Sequence, residues 1–321
     1  MKKDLKVLFA IIFAFMGFNC GGGGDGGNGG GGITYTGITT QAAIESVNAE
    51  DLSTGAYKGG AMGTTLSLGA VLQPVIGRPY YLDVAMILEE AISQIGINAS
   101  LGIVPAGAIV TDSRTIPGPC GGSALYAIEA DNVTGNFSGT LNFSGYCSQG
   151  VMVTGGANIS GQYDLQNDRF IQFALSSDSM SVTFGSDSIT ARMSISFNYQ
   201  TSPATVTLSI YVKDSKDGKV YWVDYSISLW KTSNYVDVYA SGRYYHPGYG
   251  YVLVSTPTNF RIYSGNNWPS QGVLILDGKT GIAGGSTKAR LTMISSTTYQ
   301  VEADTNGDGV YDWNSGILSW S

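Results

Sequence analysis

Ile189-Thr-Ala-Arg-Met-Ser-Ile-Ser-Phe-Asn-Tyr199 alternates apolar and polar side chains without a break. Successive side chains of an extended chain point to opposite faces, so this stretch reads as a strand with one buried face and one hydrated face. Outward from it the same period recurs. Val206, Leu208, Ile210 and Val212 alternate with Thr207, Ser209 and Tyr211, and Tyr221, Val223, Tyr225, Ile227 and Leu229 continue the pattern. Turn signals fall between the runs at Asp217-Gly218, Pro247-Gly248, Gly265-Asn266 and Asp277-Gly278. The region from residue 117 to 321 is therefore expected to be mainly β: a large antiparallel sheet, sandwich or barrel-like, of roughly ten to fourteen strands joined mostly as hairpins.

Residues 33–116 read differently, as a smaller section with one or two helices. Ile44, Val47 and Leu52 recur at roughly helical spacing in Thr40–Leu52, with Gly55 as a stop. In Pro79–Ile95, Pro79 suits a first helical position and Leu82, Ala85, Met86, Ile92 and Ile95 make an apolar stripe ended by Gly96. Glu89 and Glu90 are helix neighbours about 100° apart, which makes them surface charge rather than an acid/base pair. Gly59–Gly77 is rich in small residues, and Pro117–Gly122 (PGPCGG) marks the boundary with the β region.

Composition narrows the function classes. The chain has 321 residues, a formal net charge of −7 and only 13% charged residues, against about 25% in a typical soluble domain. Seventeen Lys and Arg against 24 Asp and Glu leave no basic footprint for nucleic acid and no polybasic patch for anionic lipid.

The N-terminus carries an address. Lys2, Lys3 and Lys6 precede an apolar run from Val7 to Phe18, then Cys20, then GGGGDGGNGGGG over Gly21–Gly32. About twelve apolar residues are too few to span a bilayer, which needs roughly 20, and fit a signal-peptide core. The arrangement resembles that of secreted bacterial lipoproteins, with Gly17 and Asn19 standing where such signals usually carry an aliphatic and a small residue. The resemblance, to Gly-tethered outer-membrane lipoproteins of Gram-negative bacteria, implies a signal peptide over residues 1–19 and lipidation of Cys20. Residues 20–32 then form the lipidated cysteine and its tether. A Gly-rich coil of this length reaches roughly 20 Å. Gly21 follows the cysteine where an Asp would resemble an inner-membrane retention signal, so the implied location is the outer membrane, lipid-anchored, on its periplasmic or cell-surface face. Beyond Cys20, Cys120 and Cys147 are an even pair in an exported chain; one histidine argues against a metal site and the absence of C-x-x-C against a redox role. A structural disulfide is expected.

One motif carries chemistry. Asp304-Thr-Asn306-Gly-Asp308-Gly309-Val310-Tyr311-Asp312 is a D-x-N-x-D-G run. It resembles the calcium loops of EF-hands, dockerins and thrombospondin type 3 repeats, in which a hard cation takes six to eight oxygens from a curled loop. The resemblance implies structural calcium held by Asp304, Asn306, Asp308, the Val310 carbonyl and Asp312. Ser315 stands where an EF-hand has its bidentate Glu, and the flanks look like strands rather than helices. An Asp/Asn/Gly-rich turn uses the same residues.

Other searches are thinner. Gly272–Thr280 approaches a P-loop, but five residues separate its glycines and the run is a strand. No G-x-S-x-G occurs, and the single histidine excludes H-E-x-x-H. That histidine, His246, lies in an aromatic stretch with Tyr244, Tyr245, Tyr249 and Tyr251, whose rings could pack around the turn or stack on a carbohydrate. The expected function is a tethered extracytoplasmic lipoprotein with a β-rich binding or envelope-structural domain, no identifiable catalysis, and an unidentified protein or carbohydrate ligand. Two alternatives are an envelope polysaccharide hydrolase using paired carboxylates from Asp164, Asp178, Asp187, Asp224 and Asp237, and a barrel-type carrier of an apolar ligand. Alternating strands are also the signature of a transmembrane barrel, against which stand the anchor and the chain end at Trp320-Ser321.

Overall fold

A computed structural model describes residues 32–68 and 108–320, apart from residues 149, 165, 168, 186, 265 and 267. Cys20, the tether and the helix expected at Pro79–Ile95 lie outside the described residues. The protein is mainly β, and the described residues form fourteen strands in a single antiparallel sheet. In chain order the first five are β1 (Ile109–Pro117), β2 (Gly121–Asp131), β3 (Asn136–Ser148), β4 (Val151–Asp164) and β5 (Arg169–Phe184). Next come β6 (Asp187–Asn198), β7 (Ala204–Asp214), β8 (Val220–Lys231), β9 (Tyr235–His246) and β10 (Gly250–Tyr263). The last are β11 (Gln271–Thr280), β12 (Ser286–Met293), β13 (Thr298–Asp304) and β14 (Trp313–Ser319). Spatial order equals chain order, so every strand pairs with its sequence neighbours in one continuous meander. The sheet starts at Ile109, and Pro117–Gly122 is the turn from β1 into β2 rather than the start of the β region.

Register turns the alternation into two unlike faces. Leu175, Ile195, Leu208 and Tyr225 are direct partners across β5, β6, β7 and β8, and all four are buried. Their neighbours Ser176, Ser194, Ser209 and Asp224 form the adjacent row on the opposite face. The apolar face is the packed one. A membrane barrel requires the reverse, an apolar band turned outward.

That face is partly covered by α1 (Ala49–Leu68), which packs against β7, β8, β9, β11, β12 and β13. The helix starts late. Asn48 accepts the Glu45 N–H at 2.8 Å and donates to the Ala43 carbonyl at 3.0 Å, holding a turn that the first helical bond, Leu52 N–H to Asn48 carbonyl, then extends. Glu50 and Asp51 fill the first turn, where negative charge favours the helix dipole. Gly55 does not stop the helix, as the spacing suggests; α1 runs through it and through Gly59 and Gly60. The reason is closeness. A Cβ on Gly55 would lie 2.3 Å from the Tyr244 hydroxyl oxygen, and one on Gly59 would lie 2.5 Å from a Val223 methyl. The bare backbone lets Tyr225 donate its hydroxyl to the Ala56 carbonyl at 2.9 Å inside the core.

Residues 35–44 form a strap ahead of the helix. Tyr251 N–H donates to the Thr40 carbonyl, Ala42 N–H to the Tyr251 carbonyl and Lys279 N–H to the Ala42 carbonyl, at 3.0, 2.8 and 2.7 Å. Buried Thr287 closes the joint, accepting from Ile44 N–H and donating to the Lys279 carbonyl, both at 3.0 Å. Asp277-Gly278 lies inside β11, and a Cβ on Gly278 would come within 2.7 Å of the Ala42 carbonyl oxygen. The glycine is spacing for the strap.

Cys120 and Cys147 are bonded, with Cα atoms 5.0 Å apart, as the cysteine count predicts. The bridge ties the β1–β2 turn to the end of β3 across 27 residues. Such a loop is worth about 3.5 kcal/mol in the chain-entropy account.

Candidate functional site

The polar face carries a row of large side chains where its neighbours are serine and threonine. Arg192, Tyr211, Trp222, Tyr245 and Tyr251 are direct cross-strand partners on β6 through β10. Tyr211 stacks on Trp222 at 5.1 Å and 13°, and Trp222 on Tyr245 at 4.0 Å and 14°. Trp222 Nε1 donates to Ser209 Oγ at 3.0 Å, which sets the indole. Tyr35 of the strap caps Tyr245 edge-on at 5.7 Å. Arg192 stands over the Tyr211 ring at one end and Arg243 over Tyr251 at the other, at 5.8 and 5.5 Å. Tyr211 therefore has Trp222 stacked on one side and, on the side toward β6, only the Arg192 guanidinium.

A hollow of about 270 Å³ opens on that side, over β4 to β7. Asn158, Ser176, Asp178, Arg192, Ser209 and Tyr211 border it. It exists because β5 bulges. The register with β6 jumps between Ser177 and Met180, and that with β4 between Gly155 and Asn158. A bulge bends its strand and re-aims the extra side chain; here Asp178 projects into solvent, its carboxylate 3.7 Å from Arg192 Nε. Ser177, one residue earlier, turns in and donates to the Gly156 carbonyl at 2.6 Å.

The aromatic stretch around the histidine is divided by the strand period. Tyr244 and His246 face α1 and are buried, whereas Tyr245 and Tyr251 belong to the polar face. Tyr249 stacks on His246 at 4.3 Å. His246 Nδ1 accepts the Gly248 N–H at 3.1 Å, and its Nε2 lies 3.2 Å from Asp51 at the start of α1. A neutral ring protonated on Nε2 satisfies both partners. Neither nitrogen is then left to take a proton from a nucleophile, so the pair works as a latch between helix and hairpin.

The latch has a pH signature. The His246 hydrogen bond holds the Asp51 carboxyl below the ordinary carboxylate range, helped by the charges of Lys219 and Lys58 and opposed by partial burial. A depressed carboxylate contributes stability above its unfolded pKa and loses it as pH falls through the folded value. Denaturant midpoints should therefore separate wild type from Asp51→Asn at neutral pH and converge below about pH 4. A constant gap across that range would assign the difference to packing instead.

The Asp304–Asp312 loop joins β13 to β14. Asp304 is buried, its two carboxylate oxygens accepting the Gly307 and Gly309 N–H groups at 2.7 and 2.8 Å. Asn306 accepts from Asp308 N–H and Asp308 from Val310 N–H, both at 2.8 Å. Asp312 turns back to Thr305, accepting its N–H at 3.1 Å and its hydroxyl at 2.8 Å. Among the described residues, no three His, Cys, Asp or Glu side chains come together as a group that could hold a metal ion.

The carboxylates considered for hydrolysis are dispersed. Asp164, Asp187 and Asp237 are ion-paired with Arg169, Lys216 and Arg261 at 3.5, 2.7 and 2.7 Å. Asp178 and Asp224 share the polar face but stand on β5 and β8, three strand spacings or about 14 Å apart. Glycosidase pairs sit about 5 to 9.5 Å apart.

No helix among the described residues is long and apolar enough to cross a membrane. Compared with known proteins, the chain matches no family model, no curated protein and no solved structure.

Proposed function

We propose that the protein is a lipid-tethered extracytoplasmic lipoprotein of the outer membrane that binds a ligand on the polar face of its sheet and performs no chemistry on it. The observation that carries this reading is the contrast between the two faces. The apolar face is spent on the core and α1, while the polar face holds a stacked aromatic row beside a polar hollow. The dispersed carboxylates favour binding over hydrolysis, and an inner face filled by side chains and a helix disfavours carriage of an apolar ligand.

Location rests on Met1–Gly32 and is tested at Cys20. Mass spectrometry of membrane-extracted protein should find Cys20 at the N-terminus carrying acyl chains, and Cys20→Ser should move the protein from the membrane to the soluble fraction. An unmodified Cys20, or an intact Met1, would falsify the anchor.

Calcium belongs to the same proposal. A carboxylate has about four lone-pair sites, so the backbone bonds that fix Asp304 and Asp308 leave oxygens able to meet a cation, together with Asn306, the Val310 carbonyl and Asp312. Calcium at about ten times its Kd would add between 1 and 2 kcal/mol, or about 3 °C in melting temperature. Equal melting in saturating calcium and in chelator would remove it from the loop.

A further inference from the structure

We infer that the hollow over β4–β7 is a saccharide site that takes one uncharged pyranose ring, stacked on Tyr211 and hydrogen-bonded through its hydroxyls to Arg192, Asp178 and the Ser/Asn floor. The inference rests on the polar face being the binding face, and it names the ligand class and the residues that meet it.

Size comes first. Drug-sized ligands occupy pockets of about 300–1,000 Å³, and a hollow of about 270 Å³ suits a single ring. Chemistry comes second. A pyranose has an apolar C–H face and a rim of hydroxyls that both donate and accept. Tyr211 supplies the flat partner for the first. For the rim, Arg192 is donor-only, ionised Asp178 is acceptor-only, and Asn158, Ser176 and Ser209 do both. The opposed charges of Arg192 and Asp178 leave the site without a net pull on an ion, which selects a neutral sugar over a uronate.

Preorganisation comes third. Trp222 backs Tyr211, and Ser209 holds Trp222, so the ring is placed before any ligand arrives. Ordering a free side chain on binding costs about 0.5–1.5 kcal/mol, a cost largely avoided for Tyr211. Arg192, by contrast, is nearly half exposed and its guanidinium stands 5.8 Å from the Tyr211 centroid. That is a long cation–π contact, near the outer limit of about 6 Å, so a sugar ring stacking on Tyr211 must swing this exposed guanidinium aside. Asp178 is 92% exposed, and so exposed an ion pair is worth little by itself. Both groups are free to exchange each other and water for sugar hydroxyls. Among the described residues Asp178 is the one carboxylate bordering the hollow, an arrangement suited to holding a sugar.

The test uses the full chain in a detergent with a non-sugar headgroup. Methyl glycosides of glucose, galactose, mannose and N-acetylglucosamine, with methyl glucuronide as the charged counterpart, are titrated to about 50 mM, the range that reads millimolar Kd values. At least one neutral glycoside should give saturable saturation-transfer NMR signals, with the glucuronide no tighter. Tyr211→Ala and Arg192→Ala should each weaken binding about tenfold or more, while Asp224→Asn, outside the hollow, leaves it unchanged. Ser194→Trp fills the hollow from β6 while leaving Tyr211 and Trp222 in place and should abolish binding, even if Tyr211→Ala fails to fold. The proposal is overturned if no neutral glycoside saturates, if Tyr211→Ala or Ser194→Trp binds like wild type, or if the glucuronide is preferred. A chain lipidated at Cys20 that binds no sugar sinks this inference alone; a sugar-binding chain without acylation sinks the anchor alone.

Discussion

Gly55→Val should lower the melting temperature by about 10 °C or abolish folding. Its Cβ would lie 2.3 Å from the Tyr244 hydroxyl oxygen and 2.7 Å from Cζ, closer than non-bonded carbon and oxygen approach. Tyr244 is buried and cannot swing aside into solvent. The helix must lift, which uncovers Leu52, Ala56 and Tyr57 and parts the Tyr225 hydroxyl from the Ala56 carbonyl. Overpacking and a lost buried bond together cost about 3–5 kcal/mol, and a domain of this size loses about 2–4 °C per kcal/mol. Adding Tyr244→Ala should restore part of the loss, because the cavity it opens accepts the new side chain; two such contacting sites are not additive. A Gly55→Val protein that melts within about 2 °C of wild type would mean that α1 is not seated where its glycines allow.

Asp304→Ala should cost about 3 kcal/mol even in chelator. The carboxylate accepts two backbone N–H groups, Gly307 and Gly309, at a buried position. Leaving the buried Gly307 N–H unsatisfied costs about 1–3 kcal/mol, the lost bond to exposed Gly309 adds about 1 kcal/mol, and the hairpin end loses the bonds that curl it. Asp304→Asn retains one acceptor oxygen and should fall between. Calcium separates the two duties of the residue. If the loop binds the ion, calcium raises the melting temperature of wild type but not of Asp304→Ala, so the gap widens. A gap identical in calcium and chelator assigns Asp304 to the turn alone.

Much of the architecture could be read before any coordinates. The Ile189–Tyr199 alternation survives as β6 with Ala191, Met193, Ile195 and Phe197 buried, and the Cys120–Cys147 bridge follows from counting. The errors share a cause. Gly55 and Gly278 were plausible punctuation in one dimension, because local rules assign glycine to ends and turns. Their use is to admit Tyr244, and Thr287 with the Ala42 carbonyl, contacts from 189 and 9 or more positions away that local rules do not contain. Tyr244 and Tyr245 looked like one cluster, yet a period of two sends adjacent residues to opposite faces. The hollow was the least legible feature. Tyr211 and Trp222 are large rings at outward positions of their strands, and that was the available signal; Asp178 reaches Arg192 only through the β5 bulge, which no spacing in the chain announces.

The strap has a consequence for the birth of the molecule. A meander can zip up hairpin by hairpin as it emerges, since each strand finds its partner in the segment just before or after it. The opening segment enjoys no such neighbour. Ile44 bonds to Thr287, 243 residues later, and Ala42 to β10 and β11. The beginning of the chain therefore waits for its end. Until β12 is made, Ile44 lacks its Thr287 partner, and α1 has only its seats on β7, β8, β9 and β11 to hold it.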